Sequence, residues 1–177
     1  MAYQKIIVTI LVLSLAGTAG CGSTDSLDLK SPAFEHGGTI PIIHTGDGEN
    51  VSPELNWSDP PEGTKSFALV CEDPDAPSGT FIHWVIYNIP GTARTLATGV
   101  SDSLELTNGI RQGHNDFKSI GYLGPYPPPG RPHRYFFILY ALDTMLELDP
   151  GAARSDLEEA MKDHILAEGR LMGKYSR

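Results

Sequence analysis

The stretch GYLGPYPPPGRPHRYFFILYALD, residues 121–143, decides the fold. Its first half, Gly121 to Pro132, holds five prolines and three glycines. Proline fixes φ and donates no N–H, which rules out a helix or a central strand there. This half reads as a stiff loop, part polyproline II, whose shape does not depend on its own hydrogen bonds. The second half, His133 to Asp143, is apolar and aromatic. His133, Tyr135, Phe137 and Leu139 fall on one side of a strand, and Arg134, Phe136, Ile138 and Tyr140 on the other. A strand covered on both faces has that pattern. His133 and Tyr135 thus place an imidazole and a phenol together at the strand's mouth, delivered by a rigid loop. Such a junction makes a pocket.

Outward from this stretch, Ser66 to Cys71 is a fully apolar strand running into a proline-broken loop, Glu72 to Gly79. Phe81 to Ile89 is the next strand, with Phe81, His83, Val85 and Tyr87 on one face and Ile82, Trp84 and Ile86 on the other. Leu27–Ser31, Thr39–His44 and Ser52–Trp57 read as shorter strands. Residues 91–120 are irregular, with a short strand over Ser103–Leu106. One helix is expected. Ser155-x-x-Glu158 supplies a capping box, Leu157, Met161 and Ile165 keep one face, and Gly169 supplies the stop. Leu171 to Lys174 follows as a closing strand. Strands without helices between them exclude a doubly wound sheet. The expectation is a mainly β domain with a C-terminal helix.

The chain divides into a leader over residues 1–20, a polar tether over 21–28 and one domain over 29–177. Lys5 precedes an apolar run, Ile6 to Leu15, that is too short to span a membrane. Thr18-Ala19-Gly20-Cys21 resembles the bacterial lipobox, with Thr where Leu is usual three places before the cysteine. The expectation is an extracytoplasmic lipoprotein held to the membrane by a diacyl anchor at Cys21. Gly22 after the cysteine resembles outer-membrane sorting where the host has an outer membrane. The formal charge is −9, and Lys5 is the sole charged residue of the first twenty, so the rest carries −10. No Lys/Arg cluster offers nucleic acid a basic face. The other cysteine, Cys71, lies in an apolar run and reads as a buried small hydrophobe.

Three segments put polar groups at strand ends: Asp73 and Asp75 in DPDAP, His83 in its strand, and His133 with Tyr135 in HRY. Each has a structural explanation when taken alone. Asp before Pro starts turns, a strand histidine is commonly a satisfied core residue, and a buried tyrosine parks its hydroxyl on backbone. Their combination carries more weight.

SPELNW (52–57), SFALVCEDPDAPSGTFIHWVIYNIP (66–90), the 121–143 stretch and the tail Leu157–Tyr175 resemble the phosphatidylethanolamine-binding proteins, in their bacterial Raf-kinase-inhibitor-like branch. The likeness runs in order over about residues 27–177. It implies a large antiparallel sheet packed on a smaller one, with a C-terminal helix. It also implies a small pocket that accepts phosphate, acetate or phosphoethanolamine. Carried over by motif, the ligand-binding residues are Asp73, Asp75, His83, Pro128, His133 and Tyr135, with Pro128 one of three consecutive prolines. Two positions depart from the family pattern: Lys118, where relatives usually have Gly, and Tyr126, where bacterial relatives often have Cys. Bacterial relatives are often homodimers, so the resemblance implies that a homodimer is open to this chain as well.

The two carboxylates are expected to raise the pKa of both histidines, so that imidazolium groups and the Tyr135 hydroxyl donate to an anion. Binding should then weaken as pH rises. No cofactor and no resident metal are expected. No G-x-S-x-G elbow or H-E-x-x-H supports hydrolysis, and Ser66 and Ser78 have no evident base. The reading is a non-enzymatic binder of a small anion or phospholipid head group. The alternative is an inhibitor or regulator of a protein partner, since the resembled family is associated with kinase and protease inhibition.

Overall fold

A computed structural model describes residues 25–177. The leader, Cys21 and the start of the tether lie outside the described residues. In chain order the elements are β1 (Asp25–Ser26), β2 (Leu29–Lys30), β3 (Leu55–Trp57), β4 (Ser66–Asp73), β5 (Phe81–Pro90), β6 (Thr95–Leu96), β7 (Arg111–Gln112), β8 (His133–Leu142), α1 (Arg154–Met161) and β9 (Ile165–Tyr175). A six-stranded sheet runs β1-β9-β8-β4-β5-β7, and a three-stranded sheet runs β2-β3-β6. Every pairing is antiparallel except that of β1 with β9. The mainly β architecture of two sheets and one helix is the one the sequence implies.

β4 lies between β5 and β8 at the centre of the large sheet, and its continuous apolar run is explained by cover on both faces. On one face, Phe67, Leu69, Trp84, Phe137 and Leu139 meet Leu29, Leu55, Trp57 and Leu96 of the small sheet. On the other, Ala68, Val70, Val85 and Tyr87 meet Leu157 and Met161 of α1. Alternation along β8 therefore sends Tyr135, Phe137, Leu139 and Ala141 between the sheets and Leu142 to the helix side. Cys71 is buried and unpaired, as its apolar surroundings imply, and burial pushes its thiol pKa well up.

Several boundaries differ from the sequence reading. Residues 25–28, assigned to the tether, belong to the fold: β1 pairs with β9, and Leu27 is buried. Thr39–His44 is not a strand. Thr39 makes one bridge to Lys174, and Pro41 then leads into a single 3-10 turn over Ile42–His44. Ser103–Leu106 forms no strand beyond a bridge from Glu105 to Arg111, whereas two-residue β6 and β7 fall inside the supposedly irregular stretch. The helix starts before Ser155. Asp156 Oδ2 accepts from the Ala153 N–H at 2.9 Å, and Asp156 in the first turn complements the helix dipole.

The helix also ends sooner, at Met161, with Asp163 at φ 64° turning the chain into β9. Ile165 opens that strand, and Gly169 lies within it rather than stopping a helix. A Cβ on Gly169 would sit 2.7 Å from the Leu27 carbonyl oxygen, so the glycine is there for close approach of the N-terminal segment. The last element is accordingly a strand, with the helix just before it.

Candidate functional site

Antiparallel pairing explains why the candidate residues meet. Asp73 ends β4, so it lies beside the start of β5, opposite Phe81, and beside the start of β8, where Glu72 pairs with Phe136. His83 reaches the same end through a bulge. Cys71 faces Trp84 and Glu72 faces Ile82, which leaves His83 as an extra residue in β5. A bulge re-aims the side chain it inserts. This overturns the strict alternation expected from the sequence, because Ile82 packs on the helix side while Trp84 and Ile86 pack between the sheets.

The result is a cavity of about 260 Å³. Asp73, His83, His133 and Tyr135 form its polar part, and all four are buried. Phe81, Phe117 and Tyr126 contribute aromatic walls, with Ala76, Pro77, Pro127 and Pro128 beside them and the Ser78 hydroxyl as a further polar group. Both Pro127 and Pro128 line the cavity, Pro127 buried and Pro128 exposed. Phe81, Phe117, Ala76 and Pro77 are cavity residues that the sequence does not single out, whereas it marks Tyr126 as a departure from the family pattern and leaves the pocket proline among three. Phe117 reaches the site from a distant loop, tilted edge-on against Phe81 at 4.7 Å between ring centroids.

Asp75 does not line this cavity. Its carboxylate faces the other way and clamps Arg134. Oδ2 accepts from Arg134 N at 3.0 Å and Nε at 2.8 Å, and Oδ1 accepts from Nη2 at 2.8 Å. The bidentate guanidinium holds the Asp75 carboxyl at about 2. Its role is to fasten the 74–79 loop to β8, and the expectation that it joins the ligand site is corrected.

The protonation pattern of the polar floor follows from its partners. His133 Nδ1–H donates to Asp73 Oδ2 at 2.7 Å. Asp73 Oδ1 accepts the Asp75 backbone N–H at 2.8 Å, so both its oxygens are engaged. His83 Nδ1 lies 2.6 Å from the Leu123 carbonyl, which only accepts, so Nδ1 carries the proton. Both rings therefore keep Nε2 without a protein partner among the described residues. The His83 and Tyr135 rings meet edge-on at 5.2 Å. Burial, followed by the Asp73 carboxylate, pushes the Tyr135 phenol pKa up, so its hydroxyl stays protonated.

Burial has the opposite consequence for His83 from the one expected. It is the largest influence and takes the imidazole below 6.5, with the Leu123 hydrogen bond and the Asp73 charge opposing it. The folded state thus resists a proton that the unfolded chain accepts, so this contribution to stability is full above pH 6.5 and is lost as pH falls from there through the lowered pKa of the folded state. Thermal unfolding of the parent should fall more between pH 7.5 and 5.0 than that of His83→Gln. An identical fall in the two proteins would refute the burial effect.

The loop that completes the site is tied from outside. Tyr122 Oη donates to the His44 carbonyl at 2.8 Å, and Gly124 N donates to Asn50 Oδ1 at 2.7 Å. Asn115, itself buried, accepts from Ser119 and donates to the Gly121 carbonyl, fixing the loop that carries Phe117. Lys118 sits at φ 63°, the left-handed region that glycine occupies without strain. A larger groove of about 820 Å³ follows Ser26–Ser31, Phe34–His36, Glu168, Arg170 and Leu171. Four of its charged groups are already paired, Lys30 with Asp28 and Arg170 with Glu168, and Glu35 makes no ion pair among the described residues. Among the described residues no three His, Cys, Asp or Glu side chains are grouped to hold a metal ion.

With this geometry in view, known proteins give it a context. The phosphatidylethanolamine-binding protein model matches residues 30–176. A UPF0098 protein of Methanothermobacter thermautotrophicus is 52% identical over 151 residues, covering 85% of this chain and 99% of its own. One from Aquifex aeolicus is 48% identical, covering 85% and 89%. Among solved structures, a phosphatidylethanolamine-binding protein homologue from Chlamydia trachomatis superposes with a TM-score of 0.79 at 39% identity, covering 86% of this chain and 99% of its own. YbcL of Escherichia coli, described as a new member of the mammalian family, superposes with a TM-score of 0.79 at 33% identity and the same coverage.

Proposed function

The chain belongs to the phosphatidylethanolamine-binding protein family, and from that premise we propose that it is a non-enzymatic binding protein for a small anion or phosphorylated head group. One observation carries the reading: His83 Nε2 and His133 Nε2 face one cavity without a protein partner among the described residues, with the Tyr135 hydroxyl beside them next to Asp73, while Asp73 spends both oxygens within the protein. An anion meets no bare carboxylate there, and each Nε2 serves it in one of two ways, accepting a proton from it when the ring is neutral and donating to it when the ring is protonated. Phosphate bearing a proton donates it to one neutral Nε2, and a fully ionised anion instead draws a proton onto an imidazole. Sulfate, which carries no proton near neutrality, should therefore bind more weakly as pH rises from 5.5 to 8.5. Hydrolysis is disfavoured because Ser78, the hydroxyl lining the cavity, has no histidine partner among the described residues.

Calorimetric titration of the purified protein with inorganic phosphate, and separately with phosphoethanolamine, tests the proposal. Saturable binding that His133→Ala lowers at least about thirtyfold is expected, since the variant removes a charge-assisted hydrogen bond. No heat with either ligand at millimolar concentration would defeat it.

The proposal includes the anchor. Among the described residues no helix is long and apolar enough to cross a membrane. Attachment is assigned to lipid on Cys21 from the apolar run Ile6 to Leu15 and the Thr18-Ala19-Gly20-Cys21 pattern, holding the domain outside the cytoplasm. Cys21→Ser should abolish labelling by a radioactive fatty acid and leave the protein out of the washed membrane fraction. Undiminished labelling would overturn the assignment. A second reading, regulation of a protein partner, rests on the half-exposed Phe117 and Tyr126 at the cavity mouth. Pull-down of a partner that survives Phe117→Ala and Tyr126→Ala would count against that route.

A further inference from the structure

The walls of the cavity say more about the ligand than its floor does. Phosphoethanolamine carries an ammonium group, which has three donors and needs acceptors or a negative charge where it is desolvated. Each nearby carboxylate already has a protein partner. Asp73 is used by His133 and by the Asp75 backbone, and Asp75 is clamped on Arg134. Asp116, next to Phe117 in sequence, accepts from the Ile82 N–H at 2.8 Å.

Cations also stand at the mouth. The Arg177 guanidinium, paired with Asp47 at 3.3 Å, lies 3.9 Å from the centroid of the Tyr126 ring, and Lys118, adjoining Phe117, makes no ion pair among the described residues. A cation can rest on an aromatic face, but the Tyr126 ring already carries Arg177. What remains open is apolar. Phe117 is 54% exposed beside Phe81, and Pro77, Pro127 and Pro128 complete the collar. A bare phosphate on the two imidazoles would leave this collar uncovered.

Building on the anion-binding reading, we infer that the cavity selects anions carrying an uncharged, flat apolar substituent over zwitterionic phosphoethanolamine. The anionic end sits on His83, His133 and Tyr135, and the substituent lies against Phe117 and the proline walls. Burial of such a group is worth about tenfold or more in affinity.

Three probes separate the possibilities in one calorimetric series on the purified protein: inorganic phosphate, phosphoethanolamine and phenyl phosphate. Phenyl phosphate should bind at least about tenfold more tightly than phosphoethanolamine, and Phe117→Ala should shrink that ratio to about threefold or less. His133→Ala should weaken all three probes. Phosphoethanolamine binding as tightly as phenyl phosphate, or more tightly, would overturn this inference and leave the anion site standing. A phenyl phosphate preference unchanged in Phe117→Ala would also overturn it. Failure of all three probes to bind would remove the anion site and this inference together.

Discussion

Replacing Asp73 with alanine should destabilise the protein by about 3 kcal/mol and abolish anion binding. The carboxylate is 3% exposed and holds two donors, His133 Nδ1 at 2.7 Å and the Asp75 N–H at 2.8 Å. Without it, a buried imidazole N–H loses its acceptor and the turn that opens DPDAP loses its staple. The ring is then free to change tautomer, so Nε2 no longer has a fixed role towards a ligand. Asp73→Asn keeps one acceptor oxygen and should fall between parent and alanine variant. Urea unfolding at pH 7, with phosphate titration of each protein, reads both effects. An alanine variant of parental stability that still binds phosphate would show that Asp73 does not position His133.

Gly124→Ala should also cost about 3 kcal/mol, and it should weaken ligand binding without touching any ligand-facing group. Gly124 lies in the proline-rich loop where that loop crosses the 42–50 segment. A Cβ there would stand 2.2 Å from the His44 carbonyl oxygen and 2.9 Å from Asn50 Oδ1. The oxygen belongs to backbone that also receives the Tyr122 hydroxyl, so it has little freedom to retreat. The loop must lift instead, carrying Leu123, the acceptor for His83, and Pro127 of the cavity wall. Urea unfolding and phosphate titration again serve. Parental stability in both measurements would mean that the loop yields without cost and does not define the site.

These two positions show what the sequence discloses and what it withholds. β4, β5 and β8 were legible because uninterrupted apolar runs between proline loops admit little else, and HRY at the head of β8 announced His133 and Tyr135. The bulge at His83 was hidden, since an inserted residue changes register without changing composition. β9 was divided between a helix and a short strand because Gly169 reads locally as a stop, whereas its reason is the approach of Leu27 from the far end of the chain. Asp75 was assigned to the cavity with its motif, yet it answers to Arg134, a partner inside the neighbouring HRY motif. Phe117 carried no local signal. Its place in the wall depends on a loop fixed by Asn115, and only three-dimensional packing reveals it.

The most direct test of the anion site is imidazole nitrogen NMR of the ¹⁵N-labelled protein, titrated with phosphate at pH 7. Before addition, His83 should show the neutral form protonated on Nδ1. Phosphate should then shift the Nε2 signals of His83 and His133 together, along one saturation curve, and leave the half-exposed His164 unmoved. If the Nε2 signals of His83 and His133 stay in place while phosphate binds elsewhere, the cavity is not the anion site.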